Sequence, residues 1–444
     1  MGRASGAAVN AQASKRTIER TQLATVEFKS GHAVLNLGSL PDRVRGCVVR
    51  HYRRIIAAAL PAVVLSMAWM MWTGKAGLNH RISVDYQVYR WAVHTWLSGG
   101  DLTSSAPTVG QGLVLPWVYP PFALLPLSVF ALLPFAAGLL LLYLVDLAAL
   151  GACLYLVTRH LWPVVGKRGA AAVALSLLPF TLFLEPVYSN FGLGQVNIAL
   201  MGLVALDCLV PHPRWPRGML VGVAAAIKLT PAAFLLFFLA RRDYRAAAIA
   251  VLTAIGGTAL GFVLDFAASV DYWFGSGPAH GVSGSAYHTN QAIMGALARF
   301  QMSDAATNSL WLLLGALCVA AVVVCLRRVE PALAVVSNGL LALLVSPTSW
   351  SDHWVWCVPG LLVMLGYAVR LRSPGWLLAA VVTTVAVVMA PFRSFPSGPP
   401  WTAWQHLFGN AYLLLGLAFT ALLLRYVLVN SKRGGELAGE VVQN

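Results

Sequence analysis

The stretch IIAAALPAVVLSMAWMMWT, residues 55–73, would be apolar on every face of a helix, and it follows directly on the basic cluster RHYRR at 50–54. At a rise of about 1.5 Å per residue such a run crosses a hydrocarbon core about 30 Å thick. A strand of a transmembrane barrel would alternate apolar and polar residues with period two, and this run does not. Runs of the same kind recur near 120–135, 137–158, 169–187, 195–211, 217–240, 245–266, 307–326, 331–347, 353–370, 375–391 and 407–429, about 12 in all. The 444 residues are 58% hydrophobic and only 11% charged, with a mean hydropathy of +0.71, whereas a soluble domain carries roughly 25% charged residues. The expected fold is an all-α polytopic membrane bundle.

The formal net charge of +15 would suit a nucleic-acid binder, but the arginines gather at segment ends, as the positive-inside rule describes. No nucleic-acid partner is expected; membrane lipids are. The six cysteines fall mostly inside apolar segments without metal or disulfide spacing and read as small core residues. Residues 1–50 are polar and lack the apolar core of a signal peptide, so they read as a disordered cytoplasmic tail; 51–430 form the bundle and 431–444 a second cytoplasmic tail. Two segments break simple alternation. Segment 120–135 is short and begins YPPF, and 217–240 is interrupted by IKLTP at 227–231. There Thr230 suits an N-cap and Pro231 a first helical position, so the segment is either one span or two half-helices of a re-entrant hairpin. In both topologies the loops 74–119, 267–306, 348–352 and 392–406 are extracytoplasmic, and the first two contain short juxtamembrane helical patterns.

The polar residues that interrupt this apolar chain are the candidates for chemistry. In ISVDYQVYRWAV, residues 82–93, Asp85 opens an aromatic helix on which Asp85, Tyr89, Ala92 and Trp96 share a face. A carboxylate in the first turn is favoured by the helix dipole, which keeps it ionised. It is either an N-cap or an acid presented on an external loop. LPWVYPPFALLP at 115–126 supplies Trp117 and Tyr119 as interface anchors or groove walls. EPVYSNFGLGQVN at 185–197 clusters Glu185, Asn190, Gln195 and Asn197 around Gly192 and Gly194, which allow close backbone approach. That cluster fits a hydroxyl-rich ligand or a plain polar turn. Lys228 lies mid-segment, where an unpaired cation is costly; it either meets a lipid phosphate beside a half-helix N-terminus or pairs with Asp207 or Glu185. SPTSWSDHWVW at 346–356 adds Asp352, His353 and three tryptophans, Trp350 among them, whose faces can stack on sugars. Adjacent helical residues diverge by about 100°, so Asp352 and His353 are not expected to pair; His353 would meet Asp85 instead. No DxD, GxxxxGK[ST] or HExxH pattern is present, which argues against a metal-held nucleotide-sugar donor or an ATP motor.

In order, Asp85-Tyr86-x-Val88-Tyr89, Tyr119-Pro-Pro-Phe122, Gly194-Gln-Val-Asn197, IKLTP at 227–231, Asn290-Gln291 and SPTSWSDH at 346–353 resemble the actinobacterial glycosyltransferase family 87 over about residues 55–430. The resemblance implies a GT-C type bundle with extracytoplasmic juxtamembrane helices and polyprenyl-phosphate-mannose-dependent α-(1→2)-mannosyl transfer. It further implies a phosphatidylinositol mannoside acceptor at the tetra- to pentamannoside step, with lipomannan or lipoarabinomannan as the alternative. The active site would face the outside of the plasma membrane. No resident cofactor is implied, because the lipid-linked donor is itself a substrate. Asp85 and His353 become the expected catalytic pair. Tyr89, Tyr119, Glu185, Gln195, Asn197, Lys228, Asn290, Gln291, Trp350 and Asp352 become substrate-binding residues, with Arg81 or Arg90 as further candidates for the phosphate. Two other classes compete. A lipid or sugar transporter should show breaks in matching positions of two halves, and only the break at 227–231 is clear. A scaffold subunit gives no reason for Asp85 and His353 to share a membrane face.

Overall fold

The computed structural model describes residues 42–103, 106–110, 112–275 and 281–443. Among the described residues the chain is helical almost throughout, and its strands are one short antiparallel pair, Thr108–Val109 with Leu113–Val114. Each of the 12 apolar runs is helical. Among the described residues, eight helices are long and apolar enough to cross a membrane: Val44–Trp72, Phe135–Leu161, Pro163–Thr181, Tyr244–Leu264, Asp304–Leu326, Ser351–Leu371, Pro374–Ser394 and Ala411–Ser431. Glu185–Leu193 and Asn197–Leu209 bend by 117° at their junction and make a ninth if taken as one span. Pro121–Ala131, Thr230–Ala240 and Pro331–Val345 are too short. By length and composition, then, the described helices do not confirm the expected count of about 12 full spans. The runs are real, but the turns that follow or divide them cut four of them down.

Those interruptions bring the site together. Irregular backbone at membrane depth is tolerated where it is buried in protein or lines a cavity. The breaks at Gly194–Val196, at Lys228 and after Val345 each bring residues to the cavity that Asp85 also lines. Around them, Phe135–Leu161 packs on Asn197–Leu209 and Gly166–Thr181, and Tyr244–Leu264 packs on Met219–Ile227. Pro331–Val345 is buried from Ala332 to Leu344 and forms the centre of the bundle. Outward faces remain apolar; Leu252, Ile255 and Val263 are exposed on Tyr244–Leu264, as helices facing lipid require.

Helix starts are fixed by buried carboxylates. Asp146 accepts from the Ala199 amide at 3.0 Å, and Asp207 accepts from Gly218 and Val221 at 3.0 and 2.9 Å. The orphan amides of two helix N-termini are thereby satisfied inside the protein. Toward the polypeptide's ends, the first described helix begins at Asp42, ahead of the basic cluster, so residues 42–50 are helical. The rest of the tail expected at 1–50 lies outside the described residues. The last helix continues to Gln443 rather than stopping near 429. Five cysteines are buried and Cys47 is exposed, all as free thiols.

Candidate active site

Segments from all four loops expected on one side of the membrane meet at a cavity of about 520 Å3. Its wall includes Asp85, Tyr89, Tyr119, Gln195, Lys228, Trp350, Asp352, His353 and Arg393.

Asp85 lies in the first turn of helix Val84–Leu97, but it does not cap it. The N-cap is Ser83, in the left-handed region at φ 60°, held by its amide to the Gly192 carbonyl at 2.7 Å. Asp85 Oδ2 instead accepts from Gln195 Nε2 at 3.0 Å. The orientation of that amide follows from its other end, because Gln195 Oε1 accepts from Tyr89 and Tyr119 hydroxyls at 2.8 and 2.9 Å. Lys228 Nζ reaches Tyr119 at 3.5 Å, donates to Asn197 Oδ1 at 2.7 Å and lies 3.1 Å from His353 Nε2. Asn197 Nδ2 donates to Asp352 Oδ2 at 2.9 Å. One continuous network thus links Asp85 to Asp352 and joins eight of the residues singled out in the sequence, with Tyr89 and His353 as its branches.

The electrostatics differ from the expectation for a helix-start carboxylate. Burial pushes Asp85 up from the usual carboxylate range to about 7, and the charge of Asp352 adds to the shift, while Gln195 and Lys228 oppose it. Desolvation outweighs the helix dipole, so Asp85 is a better base than its position in the first turn suggests. Burial also raises Tyr89 and Tyr119, which keeps both phenols protonated as donors. His353 does not meet Asp85; no hydrogen bond or ion pair joins them. Its Nε2 faces the Lys228 ammonium, which assigns the neutral ring's proton to Nδ1. His353 and Asp352, expected to diverge, lie 3.7 Å apart between Nε2 and Oδ2. They occupy a 3₁₀ turn, Ser351–Trp356, and both side chains bend toward Asn197 and Lys228.

Three groups of expected ligand-binding residues stand elsewhere. Glu185 is fully buried behind the cavity, accepting from Ser189, Ser351 and Tyr412 at 2.7, 2.8 and 2.9 Å and from Arg393 Nε at 3.0 Å. Lys228 therefore pairs with neither Glu185 nor Asp207. Asn290 and Gln291 are also fully buried and staple loops together: Asn290 Oδ1 accepts from the Ser349 amide at 3.0 Å, and Gln291 Nε2 donates to the Gly409 carbonyl at 2.8 Å. Arg90 is used up on the Ala131 and Leu133 carbonyls, and Arg81 does not line the cavity.

The second cation at the cavity is Arg393, which sequence reasoning missed. Its signal was present: it is the one arginine of 392–406, a loop expected on the side where the positive-inside rule leaves few basic residues. The two glycines of the 192–194 turn serve the protein's own packing. A Cβ on Gly192 would stand 2.4 Å from the Lys75 carbonyl oxygen, and one on Gly194, at φ 72°, 2.6 Å from Tyr86 Cβ. Gly194→Ala is therefore expected to displace Gln195, lowering the melting temperature and cutting any activity of the site about tenfold, since a left-handed non-glycine alone costs about 1–2 kcal/mol. Circular dichroism on heating and an activity assay check both.

Buried donors and acceptors aimed into a cavity beside a carboxylate of pKa near neutrality suit proton abstraction from a hydroxyl, with a cation at hand for a leaving anion. Residues 117–347 match the model of glycosyltransferase family 87. The chain is 36% identical over 374 residues, 80% of its length and 87% of the relative's, to the polyprenol-phosphate-mannose-dependent α-(1-2)-phosphatidylinositol mannoside mannosyltransferase of Mycobacterium tuberculosis. The protein of the same name from Mycolicibacterium smegmatis is also 36% identical, over 79% of this chain and 86% of that one. A polyprenol-phosphate-mannose-dependent α-(1-2)-phosphatidylinositol pentamannoside mannosyltransferase of M. tuberculosis is 32% identical over 89% of this chain and 94% of its own. The chain belongs to glycosyltransferase family 87. No solved structure matches it.

Proposed function

We propose that the protein is an inverting mannosyltransferase that moves mannose from polyprenyl-phosphate-mannose to a phosphatidylinositol mannoside, forming an α-(1→2) linkage. The observation that carries the reading is the buried network Asp85–Gln195–Tyr119–Lys228, which puts a base and a cation on one cavity. Asp85 takes the proton of the acceptor mannose 2-hydroxyl. The C1–O bond to the donor phosphate breaks as the new C1–O bond forms on the opposite face, and the electron pair leaves with the phosphate. The leaving phosphate monoester is stable as an anion, so the step needs no strong acid; Lys228 and Arg393 balance the charge. An oxocarbenium-like centre between them is what inverting glycosyl transfer implies. Trp350 and the Tyr89–Tyr119 pair offer aromatic and hydroxyl contacts to the two sugars.

The site is assigned to the outer face of the plasma membrane. The cavity draws on all four loops placed there by the distribution of basic residues, and a lipid-linked donor requires no cytosolic nucleotide. The acceptor is assigned as the tetramannoside, giving the pentamannoside. Purified protein in lipid nanodiscs, given labelled polyprenyl-phosphate-mannose, is expected to convert tetramannoside to an α-(1→2)-linked product, read by mass spectrometry and NMR. Transfer to lipomannan alone, or to nothing, would overturn the assignment. For Arg393, the double substitution Glu185→Gln with Arg393→Met avoids leaving a buried carboxylate unpaired. It is expected to raise the donor KM about 10-fold, the loss of one charge-assisted hydrogen bond.

A further inference from the structure

Arg299 is 1% exposed, yet no carboxylate pairs with it among the described residues. A buried guanidinium is costly unless its donors are satisfied. Here Nε has no partner among the described residues, and Nη1 and Nη2 are satisfied mainly by one short stretch of backbone. Nη1 donates to the Tyr287 and Ala286 carbonyls at 3.0 and 3.4 Å, Nη2 to the Asn290 carbonyl at 2.9 Å and to Asn410 Oδ1, and the group lies 4.7 Å over the Trp401 ring.

The segment it holds is a hub for the cavity wall. Tyr287 and Thr289 line the cavity themselves. Asn290 Oδ1 accepts from the Ser349 amide, and the Gln291 amide donates to the Ser349 carbonyl at 2.8 Å, which fixes the turn carrying Pro347, Thr348 and Trp350. Tyr287 packs edge-on to Trp350 at 6.3 Å. The His288 amide donates to the Ser397 carbonyl at 2.8 Å, and its ring Nδ1 sits 3.0 Å from the Phe392 carbonyl, next to Arg393. Three loops, distant in sequence, are thus set by one cation that does not itself line the cavity.

We propose that Arg299 is a positioning residue for mannosyl transfer, holding the wall formed by residues 286–291, 346–350 and 392–397 against the sugars of the glycolipid acceptor. The proposal rests on the transferase reading for its kinetic readout but not for its structural one.

Arg299→Lys keeps the charge and loses the fork that spans several carbonyls. In nanodiscs it is expected to raise the acceptor KM about 10-fold while kcat changes much less, the pattern of lost binding shared by ground and transition states. Amides of 286–291 and 346–350 should exchange with deuterium faster, while those of helix Pro331–Val345 stay as in the wild type. Lower melting temperature with unchanged KM and uniformly faster exchange would overturn the proposal and leave Arg299 a general fold residue. Asn410→Leu, which removes one acceptor and retains the guanidinium, gives the same test if the lysine variant is not recovered. Wild-type protein without transferase activity would count against the functional reading alone, since the exchange pattern tests the wall independently.

Discussion

Asp85→Asn is expected to lower mannosyl transfer by about 10²–10⁴-fold, the usual contribution of a general base, while leaving the protein folded. Asparagine keeps the shape of the side chain and can still meet Gln195, but it cannot accept the proton. Wild-type kcat/KM should fall as pH drops below about 7, where Asp85 takes up its proton. A second consequence follows from the same shift. The folded-state pKa is raised above the unfolded value of about 3.9, so the stabilising contribution of this group is complete below that value. It is lost as pH rises through about 7. The asparagine variant carries no charge at any pH, so it should melt higher than the wild type at pH 8, with the gap closing toward pH 5. A variant that is inactive yet more stable would mark the carboxylate as kept for chemistry at a cost to the fold. A near-wild-type rate at pH 8 would sink the assignment.

Much of this site was legible in the chain because polar residues stand out in a hydrophobic sequence. Asp85, Gln195, Asn197, Lys228, Asp352 and His353 each interrupt an apolar pattern, and helix breaks bring them together. What the sequence could not show was which of them face the cavity. Glu185, Asn290 and Gln291 interrupt apolar runs in the same way, yet they satisfy backbone and side-chain groups behind it. Burial direction depends on which loop packs over which, and no periodicity encodes that in turns. The expected count of spans exceeds the helices long enough to cross for a related reason. Composition registers YPPF, GLGQV and KLTP as small interruptions of a crossing, whereas geometrically they end it. Arg393 was passed over because its importance depends on Glu185, 208 positions away in sequence. The pairing of Asp352 with His353 was misjudged from ideal helix angles, which a 3₁₀ turn and the bonded Asn197–Lys228 pair that they face override.

Lys228→Met is the substitution expected to have the next largest effect. The cation is the junction of the network, bonded to Asn197 and close to Tyr119 and His353, and in the proposed reaction its loss removes the positive charge facing the departing phosphate. Withdrawing one preorganised donor from a developing anion typically costs about 10²–10³-fold in rate. Because that charge grows only as the phosphate leaves, kcat and kcat/KM should fall together. Lys228→Arg should recover only part of the rate, since a planar fork does not fit three partners arranged around a point charge. The residual activity carries the more specific signature. Lys228 holds Asp85 down against burial and against Asp352, so without it the Asp85 pKa rises and the acidic limb of the pH–rate profile moves above about 7. Asp352→Asn placed on Lys228→Met removes the opposing carboxylate and should bring the limb back down. If the limb stays fixed in both variants while KM alone rises, Lys228 anchors the break between two half-helices and takes no part in setting the base.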